Sequence, residues 1–440
     1  MPEAAARILL LLFLAGPAPA QPRPPAEMTL ESFKKLALET SPEVREAREL
    51  YEASDKAYKG QLAASVLPTL AFTGQTYPYG HNPADGYRFQ TWRLNRNDMN
   101  FNTTANLNLF NSFQDVQKTR YSSLSRGSAQ SGFEAARQDR AFSAIQTFFD
   151  LDSKSQLLEV ARQNLDAQQE QYQQTLDLHH NGMKSLSDLL KSETDWRSSE
   201  LRLVSAQAEQ KAALVRFNLL IDRPGSQPAL LQADLATGTT DLPRVEADLA
   251  LALTRRPEVS RVRKEFERSA VALEQAAQGL LPTFSANAVW NRSDAATFGR
   301  PAAASTVPNP NYQVGLTLAL PFNFNVVTQA FSYAGARADK RRARSAVDAA
   351  LRLVRQDVHG AFINLERATL SYGISLKKED IARRNLDLIN GQYRQGSADV
   401  IHLAQAQTDF LNAQVERTLA LHDIFINRAL YKRAVGEPLW

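Results

Sequence analysis

Residues that could take part in chemistry are few and scattered in this sequence. The adjacent pair His179-His180 and the isolated His359 could bind a metal ion, because imidazole nitrogens are common metal ligands. The sequence contains no cysteine, which excludes thiolate ligands, a cysteine nucleophile, disulfides and a lipid-modified N-terminal cysteine. Solvated helix positions are the expected role of the histidines, and we predict neither a metal site nor a bound cofactor.

Motifs that mark catalytic sites are also missing. The sequence has no glycine-rich phosphate loop ending in Lys-Ser or Lys-Thr, no His-Glu-x-x-His and no Gly-x-Ser-x-Gly. Asn102-Thr103-Thr104 has the form of a glycosylation acceptor, but it falls within a predicted strand. We therefore predict a protein that is not an enzyme, without catalytic or cofactor-binding residues.

Two glycine-centred stretches are nearly the same, half a chain apart. NGMKSLSDLLKSETDW, around Gly182, corresponds to QGSADVIHLAQAQTDF, around Gly396, at an offset of 214 positions (396 − 182). The same offset aligns Asp188 with His402. The two copies therefore differ in charge at a matching position.

The duplication covers most of the chain. Ser41-Pro42-Glu43-Val44 recurs as Arg256-Pro257-Glu258-Val259, and Leu67-Pro68-Thr69 recurs as Leu281-Pro282-Thr283. Two copies of one unit are too few for a stacked solenoid, which needs about three repeats or more. The predicted organisation is a signal peptide at 1–20, a first repeat at 21–222, a linker at 223–243 and a second repeat at 244–440.

The first twenty residues have the pattern of a secretory signal. Arg7 precedes a short apolar run at 8–15, and Ala18-Pro19-Ala20 has the form of a cleavage site. The apolar run is too short to cross a bilayer as a helix. We expect an exported protein that is cleaved after about Ala20.

Each copy has the same predicted order: a helix, two strands, a long helix, a tight turn and a shorter return helix. Proline ends the first helix, because it disfavours helical geometry in the residue before it. A long helix of about 65–70 residues would extend roughly 100 Å, and it must pack against others to be stable in water. The predicted helices are 29–65, 112–180, 186–221, 244–279, 326–395 and 398–435.

Four segments alternate between apolar and polar residues, at about 68–77, 101–110, 282–291 and 312–321. Each has about ten residues, the length of a tilted transmembrane strand. A half-buried sheet in a soluble domain is the alternative interpretation of each strand. The residues expected on the polar faces are Asn102, Thr104, Asn106, Asn108 and Asn287.

Aromatic residues and long loops favour the membrane interpretation. Tyr77, Phe101, Trp290 and Tyr312 stand at strand ends, where outer-membrane barrels carry aromatic girdles. Loops rich in glycine, proline and asparagine, at about 78–98 and 292–311, join the strands in pairs, and long loops on one side are also typical of barrels.

The doubled layout, the two Leu-Pro-Thr junctions and the two turns together resemble the TolC-like outer-membrane efflux protein family, the outer membrane factors of tripartite efflux and type I secretion systems. The first turn has the family's form, Gly182 followed by Asp188-Leu189-Leu190. The resemblance implies a mainly α protein with a membrane β-barrel part. Long antiparallel helical hairpins would form a periplasmic α-barrel, and three chains of four transmembrane strands would close a 12-stranded β-barrel.

The resemblance also implies a function and partners. The protein would be a passive channel-tunnel in the outer membrane of a Gram-negative-type bacterium, with a periplasmic tunnel that receives substrates from an inner-membrane pump through a periplasmic adaptor (membrane fusion) protein. Its partners would be two further copies of itself, the adaptor, the pump and outer-membrane lipid. A nucleic-acid partner is not expected, because acidic and basic residues alternate despite the net charge of +4.

Family members carry acidic side chains near these turns, where the tunnel narrows to an aperture that faces cations. Asp188 keeps the acidic position of the first copy, whereas His402 and Gln405 replace acids in the second; Asp399 is an acid that could substitute. A ring containing His402 would be less cation-selective or sensitive to pH near about 6.5, unless His402 only packs between helices. The residues expected to dock the adaptor are Gly182, Met183, Ser185, Gly396 and Ser397.

A different class of protein is the main alternative. A soluble periplasmic coiled-coil scaffold or adaptor would also contain long helices, and its alternating segments would form a small water-soluble sheet. Adaptors of this kind usually carry a compact lipoyl-like or barrel module and lack a whole-chain duplication, so the efflux channel is favoured. The sequence does not specify the exported substrate.

Overall fold

The computed structural model describes residues 27–76, 79–80, 93–94, 99–232, 242–278, 281–294, 311–320, 326–395 and 397–440. The predicted signal peptide, Tyr77, Gly396 and most of the two long loops lie outside these residues. In chain order the elements are β1 (Glu27–Thr29), α1 (Leu30–Thr40), α2 (Pro42–Ala64), β2 (Thr69–Thr76), β3 (Tyr79–Gly80), β4 (Arg93–Leu94), β5 (Met99–Asn111), α3 (Gln114–His180), α4 (Leu186–Leu220), β6 (Leu230–Gln232), α5 (Val245–Arg255), α6 (Pro257–Gln278), β7 (Thr283–Asp294), β8 (Asn311–Ala319), α7 (Val326–Arg394) and α8 (Val400–Val435).

The helix expected at the start of each copy is two helices in the structure. The predicted helix 29–65 breaks at Ser41, between α1 and α2, and the predicted helix 244–279 breaks at Arg256, between α5 and α6. In both copies a proline follows the break as the first residue of the next helix, a position that needs no backbone N–H. The Ser41 hydroxyl accepts a hydrogen bond from the backbone N–H of Val44 at 3.2 Å and so begins α2. The expectation of one continuous helix at the start of each copy was therefore wrong.

Short strands occur where the sequence suggested only connections. β1 pairs in parallel with β6, with Glu27 opposite Leu230. The predicted linker 223–243 therefore contains a strand, and this strand pairs with the segment just before α1. β3 and β4 form a small antiparallel pair inside the predicted loop 78–98. None of the helices in the described ranges has a stretch long and apolar enough to cross a membrane.

The four longer strands form one antiparallel sheet in the order β2-β5-β7-β8. The central pair is β5 and β7, one strand from each copy, and their register places Asn106 opposite Asn287. Thr69 of β2 and Gly315 of β8 complete this row across the sheet. Side chains alternate between the two faces of a strand, so the register gathers the polar positions of both copies on one face.

The junction from β5 to α3 is a tight backbone turn. Ser112 and Phe113 have φ of 59° and 62°, left-handed conformations that non-glycine residues adopt at a cost of about 1–2 kcal/mol each. The buried Ser112 hydroxyl donates to the Pro282 carbonyl oxygen at 2.7 Å, and the Asn111 side chain accepts from the Asp115 N–H at 3.2 Å. These hydrogen bonds offset the strain and fix the point where strand gives way to helix.

The chain divides into two compact units, and neither coincides with one repeat. Among the described residues, unit 1 draws on those within Met1–Arg45, Ala136–Arg255 and Val354–Trp440, and unit 2 on those within Glu46–Ala135 and Arg256–Leu353. The core of unit 1 is aromatic: Phe33 stacks on Phe217 with ring centroids 4.0 Å apart, and Phe148 lies 6.1 Å from Phe33. All three side chains are fully buried. Each unit therefore joins segments of both copies.

The Phe217→Ala substitution should lower the free energy of unfolding by about 3–5 kcal/mol, because it removes a buried ring and leaves a cavity. Leu419→Ala, at a side chain that is 45% exposed, is the control and should cost less than about 1 kcal/mol. Urea unfolding of the detergent-solubilised protein measures both. Equal losses for the two variants would contradict the assigned core.

Candidate functional site

The first hairpin turn is closed by hydrogen bonds at the end of α3. The Gly182 N–H donates to the His179 carbonyl oxygen and the Met183 N–H to the Leu178 carbonyl oxygen, both at 2.9 Å. Gly182 has φ +72°, which glycine adopts without strain at a helix C-terminus. The His179 Nδ1 lies 2.9 Å from the Lys184 carbonyl oxygen. One nitrogen of the histidine considered as a metal ligand is therefore engaged by the turn itself.

Helix α4 begins with a reciprocal cap made by Ser185 and Asp188. The Ser185 hydroxyl accepts from the Asp188 N–H at 3.1 Å, and the Asp188 carboxylate accepts from the Ser185 N–H at 3.2 Å. This arrangement satisfies two backbone donors that the helix start leaves open. Asp188, the predicted aperture acid, thus also caps the helix that carries it.

The start of the second return helix also has polar side chains at the two capping positions, but the acid occupies the other position. At the offset of 214, Asp399 corresponds to Ser185, and His402 to Asp188. Asp399 caps α8: its carboxylate accepts from the His402 N–H at 2.8 Å and lies 2.9 Å from His402 Nδ1. The acid has therefore moved from the third helical position to the cap. Asp399 therefore lies three residues before position 402, where the second copy lacks an acid.

The cap holds the pKa of Asp399 below its ordinary value. The backbone N–H of His402 is the largest cause, and the charge and ring hydrogen bond of the same histidine add to it. The His402 side chain is 73% exposed, so it does not pack between helices of its own chain. Both residues face solvent in one chain.

Gln405 lies one turn further along α8 and is exposed. Its Nε2 donates to Asp409 Oδ1 at 2.9 Å. At the matching positions of the first copy, Lys191 forms an ion pair with Asp195. The second copy therefore keeps the interaction between successive turns but replaces its cation by a neutral amide.

Tyr393, which sequence reasoning did not single out, joins the two turns. Its side chain is 2% exposed and packs against Val400 and Leu403. Its hydroxyl lies 3.2 Å from the buried Thr175 hydroxyl of α3, and Lys184 Nζ lies 4.4 Å from its ring centroid. A cation over an aromatic face is a favourable contact. The turns of the two copies are thus held together by one residue.

A groove lies beside this contact and brings together opposite charges from both turns. Lys184 of the first turn and Asp399 of the second lie on it. The Ser397 hydroxyl donates to the Gln392 carbonyl oxygen at 3.0 Å, while Met183 is 63% exposed and Ser185 is also exposed. The groove is lined by Lys184, Ile389, Gln392, Ser397, Ala398, Asp399 and His402.

The polar face of the sheet is the second set of predicted residues. Asn102, Thr104, Asn106 and Asn108 alternate along β5 on the side of Asn287. The Thr317 hydroxyl donates to Asn287 Oδ1 at 3.3 Å, and a Cβ at Gly315 would lie 3.1 Å from the same oxygen. The structure therefore places these five residues on one face. The opposite face carries exposed apolar side chains: Leu70, Phe72, Val314, Leu316 and Leu318.

In the described part of the chain, no group of three or more histidine and acidic residues could hold a metal ion. His359 is an exposed residue of α7. The sites that the chain does assemble are surfaces: two capped turns joined by Tyr393, and a sheet with one polar and one apolar face. A sheet with one polar and one apolar face on a mainly helical chain is the arrangement expected of an outer-membrane channel.

The chain belongs to the outer membrane efflux protein family, whose model matches residues 34–221 and 249–436. It is 23% identical over 428 residues to Outer membrane protein TolC of Escherichia coli K12, covering 93% of this chain and 82% of that one. The family consists of channel proteins. The two matched segments correspond to the two copies found in the sequence.

Solved outer membrane channels have the same fold. The CmeC channel of Campylobacter jejuni superposes with a TM-score of 0.75 at 15% identity, covering 92% of this chain and 85% of that one. The VceC protein of Vibrio cholerae gives 0.77 at 14% identity, with 93% and 97% covered. The open MtrE channel of Neisseria gonorrhoeae gives 0.73 at 17% identity, with 93% and 89% covered.

Substituting Asp399 by alanine should speed hydrogen exchange at the His402 amide, because the N–H loses its acceptor. Since the pKa of Asp399 is lowered on folding, its stabilising effect is present above its ordinary value of 3.8 and is lost as the pH falls through the lower folded value. The protection factor of the His402 amide, which is its exchange rate relative to that of an unstructured peptide, is measured as a function of pH to test the loss of the acceptor and the pH dependence. Asp399→Asn, which keeps an acceptor, should retain part of the protection without this pH dependence; full protection in Asp399→Ala would contradict the cap.

Proposed function

We propose that this outer membrane efflux protein is the passive exit channel of a tripartite export system. Three copies would form the channel and pass substrates from an inner-membrane pump and a periplasmic adaptor across the outer membrane. The observation that carries the proposal is the four-stranded sheet, which has a polar face, an exposed apolar face and unpaired strands at both edges. The signal peptide at 1–20 and its cleavage after about Ala20 are part of the proposal.

The sheet edges support assembly with further copies. β2 and β8 are the edge strands, and an open edge is not tolerated in lipid because its backbone groups find no water. All neighbours in the sheet are antiparallel, so β8 of one copy and β2 of the next would also meet antiparallel. Three copies would give twelve strands, an even number within the outer-membrane range. TolC-family channels are trimers that work with adaptor and pump partners.

Exposed apolar stripes on the helices support the same assembly. Ile363, Leu370, Ile374, Ile381 and Leu388 of α7 are each about 60% exposed or more and follow heptad-like spacing, which is typical of helices that pack along their length. Helix α4 carries a second stripe of exposed residues: Leu186, Leu190, Leu201, Val204, Val215 and Leu219. Two different stripes on one chain fit a head-to-tail contact that closes into a ring.

The turns are the proposed aperture and docking surface. Asp188 and Asp399 would place one acid per turn, six per trimer, while His402 and Gln405 change the charge pattern of the second turn. Met183, Ser185 and Ser397 are exposed there, as a docking surface for the adaptor requires. The polar sheet face, with Asn102, Thr104, Asn106, Asn108 and Asn287, would line the lumen. A soluble scaffold is disfavoured, because it would leave the apolar sheet face in water.

Conductance of the purified trimer in planar bilayers tests the aperture. Asp188→Asn keeps a polar cap while removing the charge, so we expect its preference for cations over anions to fall by about twofold. His402→Ala should also change this preference, because it removes the side chain that stands in place of an acid at the second turn. Met183→Ala, an uncharged change at the same turn, is the control. If Asp188→Asn and His402→Ala both behave like this control, the aperture assignment fails.

Placing a charge in the α7 stripe tests the assembly. Ile374→Glu should shift the protein from trimer to monomer, because a carboxylate would be buried without a partner in the contact. Asn364→Glu introduces the same charge at an exposed position of α7 outside the stripe and should leave the trimer intact. Heat-modifiable migration and light scattering in mild detergent measure the state. A wild-type monomer in the soluble fraction would reject the proposed channel altogether.

A further inference from the structure

The imidazole of His402 is exposed at the second turn, and one of its nitrogens is held by the chain. Its Nδ1 lies 2.9 Å from Asp399 Oδ1, while the side chain is 73% exposed. The backbone N–H of His402 holds the pKa of Asp399 below its ordinary value, so the carboxylate is ionised and accepts a proton from Nδ1. In the neutral ring Nε2 then presents a lone pair. Within the described residues Nε2 has no hydrogen-bond partner.

This arrangement is the one that metal-ligating histidines use. Such a histidine donates its second ring N–H to a carboxylate or a backbone carbonyl, which fixes the ring and raises the basicity of the ligating nitrogen. Asp399 is itself held in place, because its carboxylate also accepts from the His402 backbone N–H at 2.8 Å. The cap of α8 therefore orients the imidazole and leaves its free nitrogen toward solvent.

The charges beside the imidazole permit a cation to approach. Lys184 and Asp399 line the same groove, and their opposite charges offset each other. Lys184 Nζ lies 4.4 Å from the centroid of the Tyr393 ring, a contact that is favourable for an ammonium group. Gln405, one turn further along α8, is neutral. The groove therefore has no excess of positive charge that would exclude a metal ion.

One chain supplies too few ligands for a stable site. No group of three or more histidine and acidic residues that could hold a metal ion occurs in the part of the chain that the structure describes. The first copy has Asp188 at the position that matches His402, so each chain brings one such imidazole to the turns. The proposed trimer would bring three, at the narrowest part of its tunnel. Three imidazoles with an open fourth position are an established ligand set for Zn²⁺.

The type of ligand selects the type of ion. Imidazole nitrogen suits Zn²⁺, Ni²⁺ and Cu²⁺, whereas carboxylate oxygen suits Mg²⁺ and Ca²⁺. The first turn keeps a carboxylate at Asp188, and the second turn has an imidazole at His402. The second turn has therefore exchanged a ligand for hard cations for one that prefers transition metals.

We propose that His402 from each of the three chains of the trimer binds one divalent transition-metal ion of the Zn²⁺ type, and that the bound ion closes the periplasmic aperture. The inference rests on the proposed trimer and its aperture, and it adds a metal-dependent closure to that site. Each Nε2 would lie about 2.0–2.1 Å from the ion, so one ion draws the three second turns together. Asp399 is a positioning residue, which holds the ring without touching the ion.

Metal analysis of the full-length protein, purified without a histidine tag, tests the site. After incubation with Zn²⁺ and removal of the unbound ion, we expect about one Zn²⁺ for every three chains. His402→Ala should lose this ion, and Asp399→Asn should weaken its binding by about 10–100-fold, because the ring loses its charged partner. His359→Ala removes an exposed histidine of α7 and is the matched control. One Zn²⁺ for each chain, or unchanged binding in His402→Ala, would overturn the shared site.

Conductance in planar bilayers tests the closure. Zn²⁺ should block the wild-type channel at a concentration about tenfold or more below that of Mg²⁺, because imidazole prefers the transition metal; EDTA should reverse the block. His402→Asp places the acid of the first copy at this position and should abolish the preference for Zn²⁺. His180→Ala removes an exposed histidine beside the first turn and should leave the block unchanged.

The outcomes separate the metal site from the channel. A trimer that conducts, but is blocked equally by Zn²⁺ in the wild type and in His402→Ala, rejects the metal site and leaves the proposed channel standing. A block that disappears in His180→Ala and persists in His402→Ala also rejects it. A soluble monomer without conductance rejects the proposed function, and the metal site with it.

Discussion

Backbone groups that cannot remain unpaired in lipid are the constraint on which this structure depends. A sheet of four strands has two open edges, and no arrangement within one chain can satisfy them in a bilayer. The sheet must be closed by strands from other copies of the chain. The strand directions, the number of strands and the exposed apolar stripes on the helices all fit such an assembly. Duplication serves the same end, because two strands from each copy give an even, wholly antiparallel sheet.

The hairpin turns show how duplicated elements can diverge without losing their local structure. A helix start needs acceptors for its first backbone N–H groups, and Ser185 with Asp188 supplies them in the first copy. In the second copy Asp399 takes over as the cap, which leaves position 402 free to carry an imidazole. An acid is kept at each turn, while its position at the start of the helix has changed.

The elements that depend on local pattern could be predicted from the sequence. Alternation placed β5 and β7 because side chains alternate along a strand, and the Leu-Pro-Thr junctions located the end of α2 near Leu67. The break at Ser41 was missed because the residues on both sides of it favour helix, and only the proline marks a new start. Tyr393 and Thr175 were missed for a different reason: their contact joins α7 to α3 across 218 positions, and no periodicity in one sequence reports such a pair. The parallel pair β1–β6 is long-range in the same way.

Helices α3 and α7 are counterparts in the two copies, and α3 contacts α6 through a hydrogen bond between Ser131 and Ser260. The face of α3 that meets α6 holds small residues, Gly127, Ser128 and Ser131, because this contact forms inside one chain, where the connection already sets the register. The corresponding turns of α7 hold cations. The matching face is thus a packing surface in α3 and a largely exposed, charged surface in α7.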